Sequence, residues 1–321
     1  MTGVYLKLLA IFSVVALGWI AARLRWLGGQ DPTRTLASAA FYVFLPALLF
    51  RTATRVDLER LPWGTVLAFF APVVAVLLAV YLRERRRAGQ PVAAAGVRAI
   101  AATFGNTLQI GVPVATALYG ETGLAVHATI ISLHALTLLS LTTMLTELDL
   151  ARARRQAGRT NAHLGGTLAR TARQTVIHPV VLPVLAGLAW NAFLPPLPAL
   201  VDETLLTLAQ AAVPLCLVVI GMSLAVYGLA TVTRGALAVS AVKLLAVPTL
   251  VLAVAHGALG LDGVALGVVV MAAALPVGSN AIIFAQRYQT LEAEVTGASV
   301  LSTFIYALTA PVWIAVLARL G

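Results

Sequence analysis

The sequence TFGNTLQIGVPVAT, residues 103–116, places an asparagine, a glutamine, two glycines and a proline in the middle of a long apolar segment. The sequence ALPVGSNAII, residues 274–283, has the same ingredients near the other end of the chain. Proline removes a backbone hydrogen-bond donor and clashes with the preceding turn, and glycine loosens a helix. Both sequences therefore predict points at which a helix is interrupted.

The composition around these two sequences is that of an all-α integral membrane protein. The 321 residues are 60% hydrophobic and 11% charged, with a mean hydropathy of +0.94, whereas a soluble domain carries about 25% charged residues. The net charge of +10 is explained by basic cytoplasmic loops rather than by nucleic-acid binding. The single cysteine, Cys216, excludes an internal disulfide and is expected to be a packing residue.

Ten segments are long and apolar enough to span a bilayer, which takes about 20 residues. They are residues 4–24, 35–50, 63–82, 99–119, 124–146, 176–194, 205–229, 236–259, 264–284 and 295–317. If the N-terminus lies outside, 16 of the 22 Lys and Arg residues fall in inner loops, five fall outside and Lys243 falls within span eight. The positive-inside rule therefore predicts a multi-pass protein of the cell (inner or plasma) membrane with both termini outside.

The ten spans are predicted to form two inverted repeats of five helices. Three landmarks recur at an offset of 168 or 169 residues, namely Gly18 with Gly187, Pro46 with Pro214 and Tyr119 with Tyr288. Because five is odd, the second repeat enters the membrane from the opposite side, as in many secondary transporters. The predicted parts are a first repeat at 1–147, a basic cytoplasmic linker at 148–174 and a second repeat at 175–321.

The two polar sequences lie in spans four and nine, which are predicted to be broken helices that cross near the membrane midplane. Pro113, with Gly105 and Gly111, marks the first break, and Pro276 with Gly278 marks the second. Broken backbone must be buried in protein or line a wet cavity, and the half-helix N-termini would direct positive dipole ends toward a bound carboxylate. The predicted substrate-binding residues are Gly105, Asn106, Thr107, Pro113, Pro276, Gly278, Ser279 and Asn280.

Three ionisable residues inside the spans have two interpretations each. Lys243 lies roughly 10 Å into span eight at 1.5 Å per residue, where it either pairs with an anion or extends back to the cytoplasmic surface. His127 and His134 are seven residues apart and share one face of span five. A proton relay is one interpretation, and packing or a hydrogen bond to a neighbouring helix is favoured over it.

The sequence resembles the bacterial branch of the auxin efflux carrier family, relatives of the plant PIN auxin transporters. The resemblance rests on FYVFLPALLFRTA (41–53), GNTLQIGVPVATALYG (105–120), HPVVLPVLAGLAWN (178–191), AAVPLCLVVIGMSLA (211–225) and ALPVGSNAIIFAQRY (274–288). These sequences come from nearly the whole chain. The long cytoplasmic loop of many plant relatives is reduced here to the short basic linker.

This resemblance implies a mechanism, a substrate class and a set of crossover residues. Spans three to five and eight to ten would move, in elevator-type alternating access, against a scaffold of spans one, two, six and seven. The substrates would be organic anions, since bacterial relatives are commonly named malonate or malate permeases or auxin carriers. The crossover residues would be Asn106, Pro113, Pro276 and Asn280. Because asparagine precedes proline in one span and follows it in the other, the predicted site is only pseudosymmetric.

The predicted function is a secondary membrane transporter of small organic anions, either mono- or dicarboxylates, that are auxin-like or malonate/malate-like. An anion channel or a membrane sensory protein built on the same fold is the alternative. The sequence has no G-x-x-x-x-G-K, no H-E-x-x-H and no Cys/His cluster with metal spacing, so an enzyme, a cofactor and a metal are not predicted. The predicted partners are the substrate and the lipid bilayer, without nucleic acid, and a homodimer is left open.

Overall fold

The computed structural model describes residues 2–28, 31–55, 63–156, 181–227 and 233–320. These residues are almost entirely helical, apart from turns and one isolated bridge between extended residues. The helices are α1 (Thr2–Arg23), α2 (Pro32–Ala53), α3 (Trp63–Arg85), α4 (Ala94–Thr103), α5 (Val112–His134), α6 (Ser140–Gln156), α7 (Val181–Phe193), α8 (Ala199–Tyr227), α9 (Arg234–Ala258), α10 (Gly263–Ala274), α11 (Ser279–Arg287) and α12 (Glu292–Leu317).

Six helices in the described ranges are long and apolar enough to cross a membrane. They are Pro32–Ala53, Trp63–Arg85, Thr107–Ala153, Ala199–Met222, Arg234–Ala258 and Glu292–Leu317. The chain is therefore a multi-pass membrane protein, as its composition predicts. Three shorter apolar stretches accompany them, namely Ser13–Arg23 within α1, Ala94–Thr103 and Gly263–Ala274. The count of ten spans and their repeat stay predictions.

The ends of the helices depart from the predicted spans in several places. Asp31 lengthens α2 at its start, because its carboxylate accepts a hydrogen bond from the Arg34 N–H at 3.0 Å and Pro32 follows it. After the predicted first repeat, α6 continues to Gln156, so residues 148–156 of the predicted linker are helical. Residues 157–174 of that linker and 176–180 of predicted span six lie outside the described residues.

Three prolines are each preceded by one turn of π-helix. The turns are Ala40–Phe44 before Pro46, Thr107–Gly111 before Pro113 and Val242–Ala246 before Pro248. A proline ring clashes with the carbonyl group four residues earlier, and the wider π turn gives that carbonyl room. Each proline is thus accommodated inside a helix that continues beyond it.

The helix that follows Pro113 bends at Gly120, where φ is +64° and ψ is −153°. This conformation is open to glycine and rare for other residues. It separates the end of predicted span four from predicted span five, although both belong to one helical run. The glycine thus supplies the connection that the sequence predicts between these two spans.

The described helices pack as two groups, with α5 at the boundary. The first, which we call the scaffold group, consists of α1, α2, α7 and α8. Glycines bring its helices into close contact, since a Cβ atom at Gly187 of α7 would lie 2.6 Å from the Phe50 carbonyl oxygen of α2. Gly18 likewise lies against the backbone of Val218, where α1 crosses α8. Cys216 is fully buried in this group, which confirms it as a packing residue.

The second group, which we call the crossover group, contains α3, α4, α9, α10, α11 and α12 around a separate apolar core. A partly buried ion-pair network joins three of its helices. Arg98 of α4 contacts Glu294 of α12 at 2.7 Å and Glu84 of α3 at 2.8 Å. The side chain of α5 residue Val112 packs in the core of the scaffold group, whereas that of Val114 packs in the core of the crossover group.

Candidate functional site

Two interrupted helices meet inside the crossover group. Helix α4 ends at Thr103 and helical structure resumes at Thr107, while α10 ends at Ala274 and α11 begins at Ser279. The two interruptions, 104–106 and 275–278, are the first and second breaks. They pair in an antiparallel bridge of two hydrogen bonds, from Asn106 N–H to the Pro276 carbonyl at 2.8 Å and from Gly278 N–H to the Phe104 carbonyl at 2.9 Å. The bridge satisfies backbone groups that the breaks leave without helical partners.

The close approach of the two breaks depends on glycine. A Cβ atom at Gly278 would lie 2.7 Å from the Gly105 carbonyl oxygen, which is closer than non-bonded atoms tolerate. A Cβ atom at Gly105 would lie 3.4 Å from the Lys243 side chain. A glycine at position 278 is therefore required by the bridge itself.

Helix α12 holds the second break in place through two serines. The Val277 N–H donates to the Ser302 hydroxyl at 3.0 Å, and the Ser299 hydroxyl donates to the Val277 carbonyl at 3.1 Å. Both backbone groups of Val277 are thereby satisfied by side chains. These serines are not among the site residues predicted from the sequence, although serines three residues apart on an apolar helix are a signal that could have identified them.

Asn106 caps the helical turn that follows the first break. Its side-chain oxygen accepts a hydrogen bond from the Gln109 N–H at 3.2 Å, and its amide group donates to the Gln109 side-chain oxygen, also at 3.2 Å. Capping of this kind satisfies a free N–H group at a helix start. The spacing N-x-x-Q resembles a capping box, which is a local reason for the helix to restart here.

A cavity of about 600 Å³ lies beside the paired breaks, within the size range of small-molecule sites. Helices α2 and α8 of the scaffold group form one wall, and the first break, α11 and α12 form the other. Its lining residues are Asp31, Thr33, Arg34, Ala37, Asn106, Gln109, Ile110, Val219, Ile220, Ser279, Ile282, Thr296, Ser299, Val300 and Thr303. The cavity therefore lies between the two groups of helices.

Most of the residues that line this cavity are polar or charged, and one of them is basic. Nine of the fifteen residues are polar or charged and none is aromatic. Arg34 is the one basic residue among them, and it is exposed at the end of the cavity where α2 begins. Asp31 lies at the same end, where its carboxylate is engaged by the Arg34 backbone N–H. Thr296, Ser299 and Thr303 share one face of α12, at a spacing of three and four residues.

The predicted site residues other than Pro113 lie in three places, namely the cavity lining, the paired breaks and the second position of α11. Asn106 and Ser279 line the cavity. A second set is buried at the paired breaks, namely Gly105, Pro276, Gly278 and Thr107, the last of which begins the π turn. Asn280 is half-buried as the second residue of α11 and is not among the residues that line the cavity.

Pro113 departs from its predicted role. The sequence analysis takes it, with Gly111, as a mark of the first break, but the break lies at 104–106 and Pro113 is buried within α5. That part of the prediction is wrong, because the π turn Thr107–Gly111 accommodates the proline without interrupting the helix. A Cβ atom at Gly111 would instead press on the ring of His127.

Lys243 lies in the π turn of α9, where its side chain reaches the last turn of α10. Its side chain is 1% exposed, and its ammonium group donates to the Ala273 carbonyl at 2.5 Å. The interpretation that it extends to the cytoplasmic surface is therefore wrong for this structure. No carboxylate of a described residue forms an ion pair with it, and it is not among the residues that line the cavity.

The two histidines of predicted span five are buried behind the first break. His127 Nε2 lies 2.8 Å from the Thr107 carbonyl oxygen, which confirms the expected hydrogen bond to a neighbouring segment. The His134 ring packs on Phe104, with ring centroids 4.2 Å apart, and on Phe69. Within the described part of the chain, its ring nitrogens have no hydrogen-bond partner.

Comparison with known proteins identifies the family. Residues 3–314 match the family described as "Membrane transport protein". A protein of Rhizobium meliloti (strain 1021) named "Putative malonate transporter" is 27% identical over 310 residues, which cover 92% of this chain and 90% of that protein. The resemblance drawn from the sequence is thus confirmed, and a transport family excludes the enzyme interpretation. The chain belongs to the membrane transport protein family that includes the auxin efflux carriers.

Proposed function

We propose that this protein is a secondary transporter that carries small organic anions across the cell membrane by elevator-type alternating access. The observation that carries the proposal is the cavity of about 600 Å³ at the paired breaks, between the two groups of helices. Broken helices that cross next to a cavity are a common way to build a transporter site. The family and its relative named for malonate support the same interpretation.

An anion is favoured because positive groups converge on this cavity. The helical runs that restart at Thr107 and Ser279 begin at the breaks, so their N-terminal dipole ends favour negative charge there. Asn106 and Ser279 add polar side chains to the lining, and Arg34 adds a positive charge at the end of the cavity where Asp31 adds a negative one. A carboxylate bound between Asn106 and Ser279 would be stabilised by the helix N-termini and by these polar side chains.

The lining favours a small hydrophilic carboxylate over an aromatic one. An indole ring would be recognised best by aromatic or large apolar side chains, and none of the fifteen lining residues is aromatic. Thr296, Ser299 and Thr303 give this wall a polar surface that suits a compact polar ligand, with Thr296 as the donor, because Ser299 and Thr303 donate to backbone carbonyl groups. Malonate, for which the Rhizobium relative is named, is therefore the first substrate to test.

The proposed movement uses the two groups of helices. The scaffold group comprises predicted spans one, two, six and seven, and the crossover group with α5 and α6 comprises spans three to five and eight to ten. Gly18 of span one packs on span seven, and Gly187 of span six packs on span two. The proposed inverted repeat of 1–147 and 175–321 relates span one to span six and span two to span seven. It therefore maps each of these two contacts onto the other, and the two contacts support the repeat.

The proposed orientation places both termini outside and the cavity open to the cytoplasm. The cavity reaches the surface at Arg34, which lies in the inner loop that follows span one if the N-terminus is outside. The positive-inside rule supports this assignment. The described conformation would then be inward-facing, with substrate able to exchange with the cytoplasm.

The proposal is tested with purified protein in proteoliposomes. Labelled malonate, malate, lactate and indole-acetate would be offered with and without a membrane potential and a proton gradient. We expect saturable flux of malonate or another small carboxylate, at turnover rates far below those of a channel. Absence of saturable flux for every anion, from folded protein, would contradict the carrier, and single-channel currents would favour the anion channel instead.

A further inference from the structure

One side of helix α3 is an exposed apolar stripe. Its exposed residues recur every four positions and are Trp63, Leu67, Ala71, Ala75 and Ala79. Phe69, Val73 and Leu77, on the opposite side, are buried in the core of the crossover group. Residues four apart share one face of a helix. Because α3 is long and apolar enough to cross a membrane, this exposed face contacts the acyl chains of the lipid.

The stripe ends in arginines. Leu82, which is 48% exposed, is its last apolar residue. Arg83 and Arg86 continue the same face, and with Arg85 and Arg87 they make four arginines within five positions. The 23 residues of α3 are enough to cross the hydrocarbon layer of about 30 Å. The arginines at its end therefore lie at the level of the lipid headgroups.

Two of these arginines are left without a carboxylate partner. Each of the two neighbouring carboxylates is already bound to two other arginines. These ion pairs are Glu84 with Arg87 at 2.9 Å and with Arg98 at 2.8 Å, and Asp149 with Arg85 at 3.1 Å and with Arg152 at 3.2 Å. No carboxylate of a described residue pairs with Arg83 or Arg86. The end of the stripe thus carries positive charge that the protein itself does not balance.

We propose that the arginine surface, formed by Arg83, Arg85, Arg86 and Arg87, binds the headgroups of anionic phospholipids in the leaflet that it faces. Clusters of four or more basic residues directly after a spanning helix attract anionic lipids, and the arginine fork matches the oxygens of a phosphate group. Orientation alone requires basic residues anywhere in a loop. Here the unpaired arginines continue a lipid-facing stripe, so the acyl chains of a bound lipid can lie along that stripe.

The test compares three ligands on the unmodified protein. Purified protein in an uncharged detergent would be incubated with phosphatidylglycerol, with phosphatidylcholine or with inorganic phosphate. Bound lipid would be counted by native mass spectrometry, and the melting temperature would be measured. We expect only phosphatidylglycerol to raise the melting temperature, because a ligand that binds the folded protein stabilises it. An equal effect of phosphatidylcholine would overturn the inference, and so would an equal effect of inorganic phosphate, since the site would then take a soluble anion.

The double variant Arg83→Gln with Arg86→Gln removes the two unpaired charges. Each arginine near an anionic membrane surface contributes about fivefold in affinity, so the double variant should bind phosphatidylglycerol at least about tenfold more weakly. Both side chains are exposed and form none of the ion pairs above, so the variant should fold. Unchanged binding of phosphatidylglycerol would overturn the inference.

Arg23→Gln with Arg25→Gln is the matched control. It also removes two exposed arginines, at the end of α1, but the Arg23 guanidinium group already stacks on Trp19, 5.4 Å from the ring centroid. This variant should bind phosphatidylglycerol as tightly as the unmodified protein. An equal loss in both double variants would overturn the inference, because net charge rather than the arginine surface would then attract the lipid. None of these measurements uses anion flux, so their outcome does not depend on the proposed carrier.

Discussion

Gly278 lies where the backbones of the two breaks come closest. The bridge between Asn106 and Pro276, and between Gly278 and Phe104, leaves no room for a side chain at position 278. The sequence predicts both breaks from glycine, proline and asparagine in an apolar setting. The crossing of the two broken helices is predicted from the sequence, but the hydrogen-bonded pairing of their breaks is not, because it joins residues more than 150 positions apart in the chain.

Gly278→Ala is expected to separate the two breaks and reduce both stability and transport. The added methyl group would press on the Gly105 carbonyl oxygen, and overpacking of this kind costs about 1–3 kcal/mol. Thermal unfolding and malonate flux would be measured, with Gly64→Ala as the control, because a Cβ atom at Gly64 meets nothing within 4 Å. If Gly278→Ala matches Gly64→Ala in both measurements, the bridge does not matter to the protein.

Arg34 is the residue whose importance the sequence analysis missed. It counts there only as one of the basic residues of an inner loop, because composition does not reveal which loop residue borders a cavity. Arg34→Gln should raise the KM for malonate and change the maximal rate less, since a charge at the cavity end attracts a dianion before it reaches the breaks. The increase should be larger for malonate than for lactate.

The measurement for Arg34 is concentration-dependent flux at low and at high salt. Salt screens exposed charges, so the difference between the unmodified protein and Arg34→Gln should shrink as salt increases. Arg83→Gln is the control, since Arg83 is exposed on α3 and is not among the residues that line the cavity. An equal effect of both substitutions would mean that only the overall charge of this face matters.

Among the helices, π turns and a partly buried ion-pair network are the features that the structure adds to the predicted spans. A π turn precedes each of Pro46, Pro113 and Pro248, whereas Pro72, Pro214 and Pro311 lie inside helices without one. A proline in an apolar span of this protein therefore does not by itself mark a break. Pro113 is predicted from the sequence to mark the first break, whereas Pro46 serves there only as a landmark of the repeat. Distinguishing them requires the neighbouring residues, because Gly105 and Asn106 make the break and Pro113 does not.

The network around Arg98 should stabilise the crossover group. Glu294→Gln removes the carboxylate that Arg98 contacts at 2.7 Å and leaves Glu84 as its remaining partner. Hydrogen bonds to charged groups contribute about 1.5–3 kcal/mol, and the remaining partner puts the expected loss near the lower end. Thermal unfolding would be compared with that of Glu292→Gln, an exposed carboxylate two residues away. An equal melting temperature for the two variants would contradict a role for the network.

For the whole molecule, the cavity between the two groups of helices is the feature that links structure to transport. Composition and basic loops are enough to predict a multi-pass membrane protein, and the resemblance predicts its family. The residues that form the walls of the cavity could not be predicted from composition or from the resemblance. Residues such as Ala37 and Ile282 come together only because helices from distant parts of the chain pack around one space.

Elevator movement predicts that linking the two walls of the cavity stops transport. Ala37 lies on the α2 wall and Ile282 on the α11 wall, so cysteines at both positions can be joined by a short bifunctional thiol reagent. We expect malonate flux to fall after cross-linking and to recover when a cleavable linker is cut. Each single cysteine variant is the control, and Cys216 is fully buried and should not compete. Full flux in the cross-linked protein would contradict movement between the two groups.

The central claim is that the anion binds at the paired breaks. The most direct test is labelled malonate flux into proteoliposomes that contain Asn106→Ala, beside Gln210→Ala, which removes an exposed amide of α8 outside the cavity lining. Loss of the helix cap costs about 1 kcal/mol, so Asn106→Ala should remain folded. We predict that its flux falls at least about tenfold, as expected when a polar group in a membrane site is removed, while Gln210→Ala transports normally. Flux at the unmodified level in folded Asn106→Ala would contradict the claim.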